Sequence, residues 1–234
     1  MAGFAREAQM KGLVIDSHQW CTESRLIYAR HEVPVGGQIP DIVFVGVGGE
    51  PTLDAGPRRW TLKHSGVAWA LRVGGPLYVA EIADAVCERS ERVLPIVEDL
   101  IDGNVARATP GGKVALRRNT HLLRSEVIAI ELKLARWRDA LAQALSYRLF
   151  ANRVLVALDR TRATSVDLQA FRSEGVGLVL VGPGKVETAV PPKRMKSNSL
   201  GLEHDYVVGS ALWGNGHTLW KRRCMAKASA QAWT

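Results

Sequence analysis

The stretch VIAIELKLARWRDALAQALSY, residues 127–147, decides the fold that the sequence predicts. It opens with a short apolar run rich in β-branched residues, which indicates a buried strand. Glu131 and Lys133 are two residues apart in that run and therefore lie on one face of the strand. Because an unpaired buried charge is costly, the two either form a salt bridge or line a polar cleft for a metal ion or a substrate. By itself, the tripeptide from Glu131 to Lys133 is more typical of the solvated face of a strand.

The residues around this strand add two further polar pairs. Apolar side chains recur at helical spacing over residues 136–150, so an amphipathic helix follows the strand. Gln143 and Tyr147 are four residues apart and share one face of that helix. Upstream, Pro40 and Asp41 stand at the start of an apolar run that follows a glycine pair, which is typical of a β-hairpin.

These three motifs resemble those of the PD-(D/E)xK nuclease superfamily, particularly the branch with phage exonucleases and the nuclease domains of recombination helicases. The resemblance covers roughly residues 17–47 and 127–158. It implies an α/β, restriction-endonuclease-like fold with an α-β-β-β-α-β core. The elements predicted for that core are a helix at 17–30, strands at 32–35, 39–47 and 127–134, a helix at 136–150 and a strand at 153–158.

The resemblance also implies a DNA nuclease that depends on Mg²⁺ or Mn²⁺. Asp41, Glu131 and the backbone carbonyl of Leu132 would bind the ion, since carboxylate and carbonyl oxygens suit this hard cation. Many members of the superfamily carry an acidic residue on the first helix, facing the metal. Glu23 is the candidate for that position, and a solvated helix glutamate is the equally supported alternative.

The remaining motif residues would act on water and phosphate. Lys133 would orient or activate the attacking water and stabilise the developing negative charge. Gln143 and Tyr147 would position the site or the nearby phosphate. On the same helix, Arg136, Arg138 and Arg148 could steer the DNA backbone, although a solvated helix face is the favoured explanation for these three arginines.

The chain departs from the usual pattern because Asp41 and Glu131 are 90 positions apart. The insert looks like a unit of its own. It is predicted to hold three helices and a hairpin, at residues 66–73, 78–87, 90–101 and 105–118. This arrangement resembles a winged helix-turn-helix. Pro95 is awkward inside the third helix, since it removes a backbone hydrogen bond, so that helix is predicted to kink or to start later.

Most bases of the insert gather at the start of the third helix and on the wing. They are Arg89, Arg92, Arg107, Lys113, Arg117 and Arg118. That placement favours phosphate contact, but seven acids balance seven bases over residues 66–118. Contact with DNA is therefore weighed against homodimerisation or docking of a protein partner through the same module.

Composition sets broader bounds. A chain of 234 residues with 47% hydrophobic content can form a substantial core. The net charge of +8 suits a polyanionic partner, although basic surfaces are also common without one. Three cysteines without a metal-ligand pattern predict a reducing, cytoplasmic setting. No apolar run reaches the length of a membrane span, so no membrane partner is expected.

The predicted organisation has four segments. Residues 1–60 and 121–190 form the two parts of the nuclease-like core, 61–120 form the inserted module, and 191–234 form a basic C-terminal extension. Two further elements are predicted within the second core part, a helix at 165–173 and a strand at 177–181. The extension is expected to be solvated, with Trp213 and Trp220 packing on the core.

Three functions follow from these features. The first is a metal-dependent nuclease with an inserted winged-helix module. The second is a DNA-binding regulator in which the nuclease fold is catalytically silent. The third is a protein-docking subunit of a larger defence or mobile-element system. The presence of all five polar motif residues favours the nuclease.

Overall fold

A computed structural model describes residues 3–17, 26–47, 56–57, 59–118, 120, 122, 125–195, 201–213 and 220–223. These residues form a mixed α/β structure. Its helices are α1 Ala8–Ser17, α2 Leu62–Gly74, α3 Val79–Ala85, α4 Ser90–Asp102, α5 Trp137–Ser146, α6 Leu168–Glu174 and α7 Leu202–Trp213. Its strands are β1 Leu26–His31, β2 Ile42–Val47, β3 Ala106–Ala108, β4 Val114–Leu116, β5 Ser125–Lys133, β6 Arg153–Asp159, β7 Gly177–Gly182, β8 Lys185–Val190 and β9 Trp220–Arg223. Within the described ranges, no helix is both long and apolar enough to cross a bilayer.

Seven of the strands form one mixed sheet in the order β8-β7-β6-β5-β2-β1-β9. The adjacent strands β5, β6 and β7 are parallel, and the other pairings in the sheet are antiparallel. Strand β5 occupies the middle and is buried along almost its whole length, as expected for a strand covered on both faces. The predicted buried strand is therefore confirmed as the centre of the sheet.

The side chains of β5 alternate between two hydrophobic cores. Ile128, Ile130 and Leu132 enter a core that is closed by α1. Val127 and Ala129 enter a larger core on the opposite face, which α5, α7 and the helices of the insert share. Glu131 and Lys133 belong to this second face because successive strand residues point to opposite sides.

The insert between β2 and β5 contains the three helices and the hairpin that the sequence predicts. They are α2, α3 and α4, followed by the antiparallel pair β3 and β4. Leu77, between α2 and α3, forms an additional backbone pair with Val114. Helix α4 begins at Ser90 and continues through Pro95 to Asp102, so the prediction of a later start is wrong.

Two local predictions near the N-terminus are also wrong. The helix predicted at 17–30 is not present at its end, where residues 26–31 form β1 and pair with β2. The first helix lies earlier in the chain and ends at Ser17. Residues 32–35 are not a strand. They belong to a connection that turns at Gly36 and Gly37, both with positive φ, under a single bridge between Val35 and Gln38.

The prediction of a solvated C-terminal extension is wrong for residues 202–213. Helix α7 is buried and packs on α2 and on the strands β1, β2 and β5. Trp213 contacts the ring of Trp60 with the ring centroids 5.0 Å apart. Gly209 packs tightly there, because a Cβ at this position would lie within the indole ring of Trp60. Helix α7 therefore contributes to the core on one face of the central strand.

Candidate active site

Asp41 and Glu131 meet where β2 begins and β5 ends. Ile42 is paired with Ile130 in the antiparallel register, so Asp41 stands beside Glu131 at the next position along. The Oδ2 atom of Asp41 accepts a hydrogen bond of 2.8 Å from the backbone N–H of Leu132. Asp41 thus lies just before β2 and not within it, as the prediction had it, and its carboxylate accepts from a backbone donor of β5.

Glu131 is the best-buried charged group of the cluster, with 3% of the residue exposed. Its Oε1 atom accepts a hydrogen bond of 2.6 Å from Nζ of Lys133. Its Oε2 atom accepts one of 2.5 Å from the hydroxyl of Tyr147. Tyr147 reaches this position because α5 packs on the face of β5 that carries Glu131, and the phenol follows directly after the last residue of that helix. Two segments, β5 and the end of α5, therefore meet at one carboxylate.

The electrostatics of the cluster follow from its burial. Burial raises the pKa of Glu131, and the nearby charge of Asp41 acts in the same direction, while Lys133 and Tyr147 oppose the shift. Burial disfavours the ammonium of Lys133, but its hydrogen bond and its attraction to Glu131 outweigh that effect and raise the pKa. Burial also raises the pKa of Tyr147, so its hydroxyl remains a hydrogen-bond donor. The cluster holds a charged lysine against two carboxyl groups.

Two predicted site residues do not join this cluster in the structure. The side chain of Gln143 is exposed, and among the described contacts it is Tyr147, not Gln143, that reaches Glu131. Glu23 lies outside the described residues. Leu132 is close to Asp41 through its backbone N–H, whereas the prediction concerned its carbonyl group.

Glu7 is a site residue that no motif of the sequence indicates. Its Oε1 atom accepts a hydrogen bond of 3.3 Å from the backbone N–H of Leu134. Its charge also contributes to the raised pKa of Lys133. Glu7 lies just before α1, a helix that the sequence does not predict, and no spacing relates it to residues more than 120 positions away. A third carboxylate therefore lies near the lysine.

The donor atoms suit a hard divalent cation in type but not in number. The charge of Asp41 contributes to the raised pKa of Glu131, and a cation between the two carboxylates would relieve this repulsion. Across the residues that the structure describes, however, no three Asp, Glu, His or Cys side chains are grouped as metal ligands. Both oxygens of Glu131 are already bonded, so a cation would share or displace Lys133 or Tyr147.

The basic residues predicted for DNA contact lie on the surface of the insert. Arg89 and Arg92 are exposed at the start of α4, where Arg92 is 3.5 Å from a carboxylate oxygen of Glu88. On the hairpin side, Arg107, Arg117 and Arg118 are exposed, and Lys113 lies 4.8 Å from the centre of the Tyr78 ring. The structure thus brings two bases to one helix end and four to the hairpin.

The arginines of α5 form local contacts. Arg136 is exposed and lies 3.3 Å from a carboxylate oxygen of Asp139, three residues along the same helix. The guanidinium of Arg138 stacks on Trp137, 4.4 Å from the ring centre. Both side chains border the helix that supplies Tyr147, and both interactions are typical of a solvated helix face.

Comparisons with known proteins leave the family of this chain open. No protein-family model matches the sequence, and no curated protein matches it. Among solved structures, a protein of unknown function from Silicibacter pomeroyi is similar at 18% identity and a TM-score of 0.28. The match covers 41% of this chain and 65% of that protein's length.

Proposed function

We propose that this protein is a metal-dependent DNA nuclease that hydrolyses phosphodiester bonds with Mg²⁺ or Mn²⁺. The observation that carries the proposal is the cluster of Asp41, Glu131, Lys133 and Tyr147. These residues come from three segments, of which the one with Asp41 is 90 positions from Glu131, and they are four of the five motif residues of the PD-(D/E)xK resemblance. A salt bridge that served only stability would not require an aspartate and a tyrosine at the matching positions.

The order of elements is consistent with the same proposal. With the insert left out, α1, β1, β2, β5, α5 and β6 follow one another as helix, three strands, helix and strand. That is the α-β-β-β-α-β order of the resembled core. The insert, with three helices and an antiparallel hairpin, is in turn consistent with a winged helix-turn-helix that docks DNA or a protein partner.

In the proposed reaction, Asp41 and Glu131 would hold the cation. The bound ion would supply a water of lowered pKa and stabilise negative charge on the phosphate. Lys133 would donate from Nζ to the attacking water or to a phosphate oxygen, because it carries the only ammonium described in contact with Glu131. Tyr147 would hold the Glu131 carboxylate in one orientation through its hydroxyl.

A second candidate is a DNA-binding regulator with a silent nuclease fold. The observation that favours it is that Glu131 is buried and that both of its carboxylate oxygens already accept hydrogen bonds. In that case the cluster is a structural ion pair, and function rests on the bases of the insert. Duplex binding would then be independent of metal and would depend on Arg89 or Arg92.

The test compares cleavage of plasmid, linear duplex, single-stranded DNA and RNA with Mg²⁺, Mn²⁺ or EDTA. The variants are Lys133→Ala and, as matched control, Lys185→Ala, which removes an exposed lysine on the edge strand β8. We expect metal-dependent cutting by the wild type and the control and none by Lys133→Ala. Equal cutting by Lys133→Ala would reject the nuclease proposal, and metal-independent duplex binding without cutting would support the regulator.

A further inference from the structure

A half-open cavity of about 350 Å³ lies in the insert, away from the cluster around Glu131. It is bounded by α2, by the connection between α3 and α4, by α4 itself and by the first residue of α7. Its lining is largely apolar and includes Val67, Trp69, Val86, Val93, Ile96 and Leu202. Cavities of this size and lining are typical of sites for small organic molecules, at the small end of their range.

Charged groups stand on the wall of this cavity. Nζ of Lys63 lies 2.9 Å from Oε1 of Glu88, and a guanidinium nitrogen of Arg92 lies 3.5 Å from Oε2 of the same carboxylate. Both bases are more than half exposed. Two positive groups therefore share one negative group, and the wall retains one uncompensated positive charge.

We propose that this cavity binds a small amphiphilic anion, with an apolar body and one carboxylate or sulfonate group. The apolar body would displace water from the side chains of α2 and α4, which supplies most of the affinity. The anionic group would pair with Lys63 and Arg92 by charge-assisted hydrogen bonds. A cationic amphiphile would meet the same lining but would be repelled by the net charge of the wall.

Gly66 provides a direct means to close the cavity. It is buried in α2 and lines the cavity together with Val86 and Leu202. A Cβ at this position would lie 3.6 Å from Cγ1 of Val86 and 3.7 Å from Cδ1 of Leu202, which are ordinary contact distances. Alanine therefore fits without strain, whereas a leucine side chain would extend into the space that the anion needs.

The experiment titrates the full chain with 1-anilinonaphthalene-8-sulfonate, an aromatic sulfonate whose fluorescence rises in apolar surroundings. Decanoate and decyltrimethylammonium serve as competitors of equal chain length and opposite charge. The variants are Gly66→Leu, which fills the cavity, and Lys63→Gln, which removes one exposed charge and leaves the core untouched. Lys185→Gln, on the edge strand β8, is the matched control for charge.

We expect one saturable site per chain, displaced by decanoate and not by decyltrimethylammonium. Gly66→Leu should weaken binding at least about tenfold and Lys63→Gln several-fold, while Lys185→Gln should bind like the wild type. Binding that Gly66→Leu and Lys63→Gln leave unchanged would overturn the proposal, as would equal displacement by the two competitors. Absence of saturable binding to the folded wild type would overturn it as well.

Discussion

The hydroxyl of Tyr147 donates a 2.5 Å hydrogen bond to Oε2 of Glu131, joining the end of α5 to the end of β5. Nζ of Lys133 donates a hydrogen bond to Oε1, the other oxygen of the same carboxylate. A buried carboxylate with both oxygens bonded is fixed in orientation before any ligand arrives. The same bonds that pre-organise the proposed site also maintain the packing of α5 on the sheet.

Replacing Tyr147 with Phe should destabilise the protein. The variant keeps the ring but leaves Oε2 of Glu131 without its donor in a buried position, which costs about 1–3 kcal/mol. Tyr78→Phe is the control, since Tyr78 is exposed on the insert. Urea denaturation of both variants measures the difference. Equal midpoints for Tyr147→Phe and wild type would show that the hydrogen bond contributes nothing to stability.

Binding of a cation should stabilise the folded protein if Asp41 and Glu131 hold it. A ligand at ten times its dissociation constant adds about 1.4 kcal/mol to the free energy of unfolding. We therefore expect thermal unfolding of the wild type to shift upwards with millimolar Mg²⁺ or Mn²⁺, and no shift for Asp41→Asn. Because this readout needs no cleavage, it separates loss of the ion from loss of chemistry. A shift that persists in Asp41→Asn would place the ion elsewhere.

The hairpin of the insert should contribute to the salt dependence of DNA binding. Every phosphate that a basic side chain neutralises on a duplex adds about 0.9 to the steepness of log K against log salt. Arg107 and Arg117 are both exposed on the hairpin, so replacing both with alanine should reduce that steepness by about 2. The control pair is Arg172→Ala with Lys185→Ala, two exposed bases on α6 and on the edge strand β8. An unchanged slope in the hairpin variant would indicate that the hairpin does not contact DNA and would favour docking of a protein partner by the insert.

Neighbouring residues on α7 should give opposite responses to pH. Burial lowers the pKa of His204 from 6.5 to about 4, while Nδ1 donates to the carbonyl of Phe150. Folded protein then binds fewer protons than the unfolded chain, so stability is complete above pH 6.5 and falls as the pH drops towards 4. Burial raises the pKa of Asp205 from 3.8 to about 7 against the opposing charge of Arg72, and this stability is lost as the pH rises from about 4 to 7.

The two responses nearly cancel in the wild type between about pH 4 and 6.5, and substitution should separate them. In Asp205→Asn the free energy of unfolding should rise with pH by up to about 1.4 kcal/mol per unit. In His204→Gln it should fall with pH over the same range. Urea denaturation at a series of pH values measures both slopes. Slopes of the same sign in the two variants would contradict this account.

Gly209 should be sensitive to a single added methyl group. Its hydrogen faces the indole of Trp60, so Gly209→Ala forces Trp60 or α7 to move, at a cost of about 1–3 kcal/mol. Gly12 on α1 is the matched control, because a Cβ there meets nothing within 4 Å. Gly12→Ala should be neutral or stabilising, since alanine favours the helix by about 1 kcal/mol. Similar melting temperatures for the two variants would contradict close packing at Gly209.

Most of the cluster around Glu131 can be predicted from the sequence because its residues lie on a strand and next to a helix with clear periodic patterns. The alternation along β5 places Glu131 and Lys133 on one face, and Tyr147 follows from the helix that comes next. Gln143 shares the face of Tyr147 yet is exposed, since a shared face does not determine how deeply each residue is buried. The roles of these residues in catalysis remain predictions.

The wrong predictions have physical causes in tertiary structure. The apolar residues of 26–31 also fit helical spacing, but pairing with β2 overrides that local preference. Helix α7 is apolar on several sides because it is covered on several sides, so it lacks the one-sided pattern that identifies a surface helix. Neither the pairing nor the covering is encoded in a short window of sequence.

Val47 and Ser125 are direct partners in the antiparallel register, so the 77 residues between them form, in topological terms, one long hairpin loop. The entropy of closing a loop grows only with the logarithm of its length, so the insertion lowers the equilibrium stability of the sheet very little. Its effect on folding speed is larger, because contacts distant in sequence form slowly. We therefore expect the local helices of the insert to form before β2 pairs with β5.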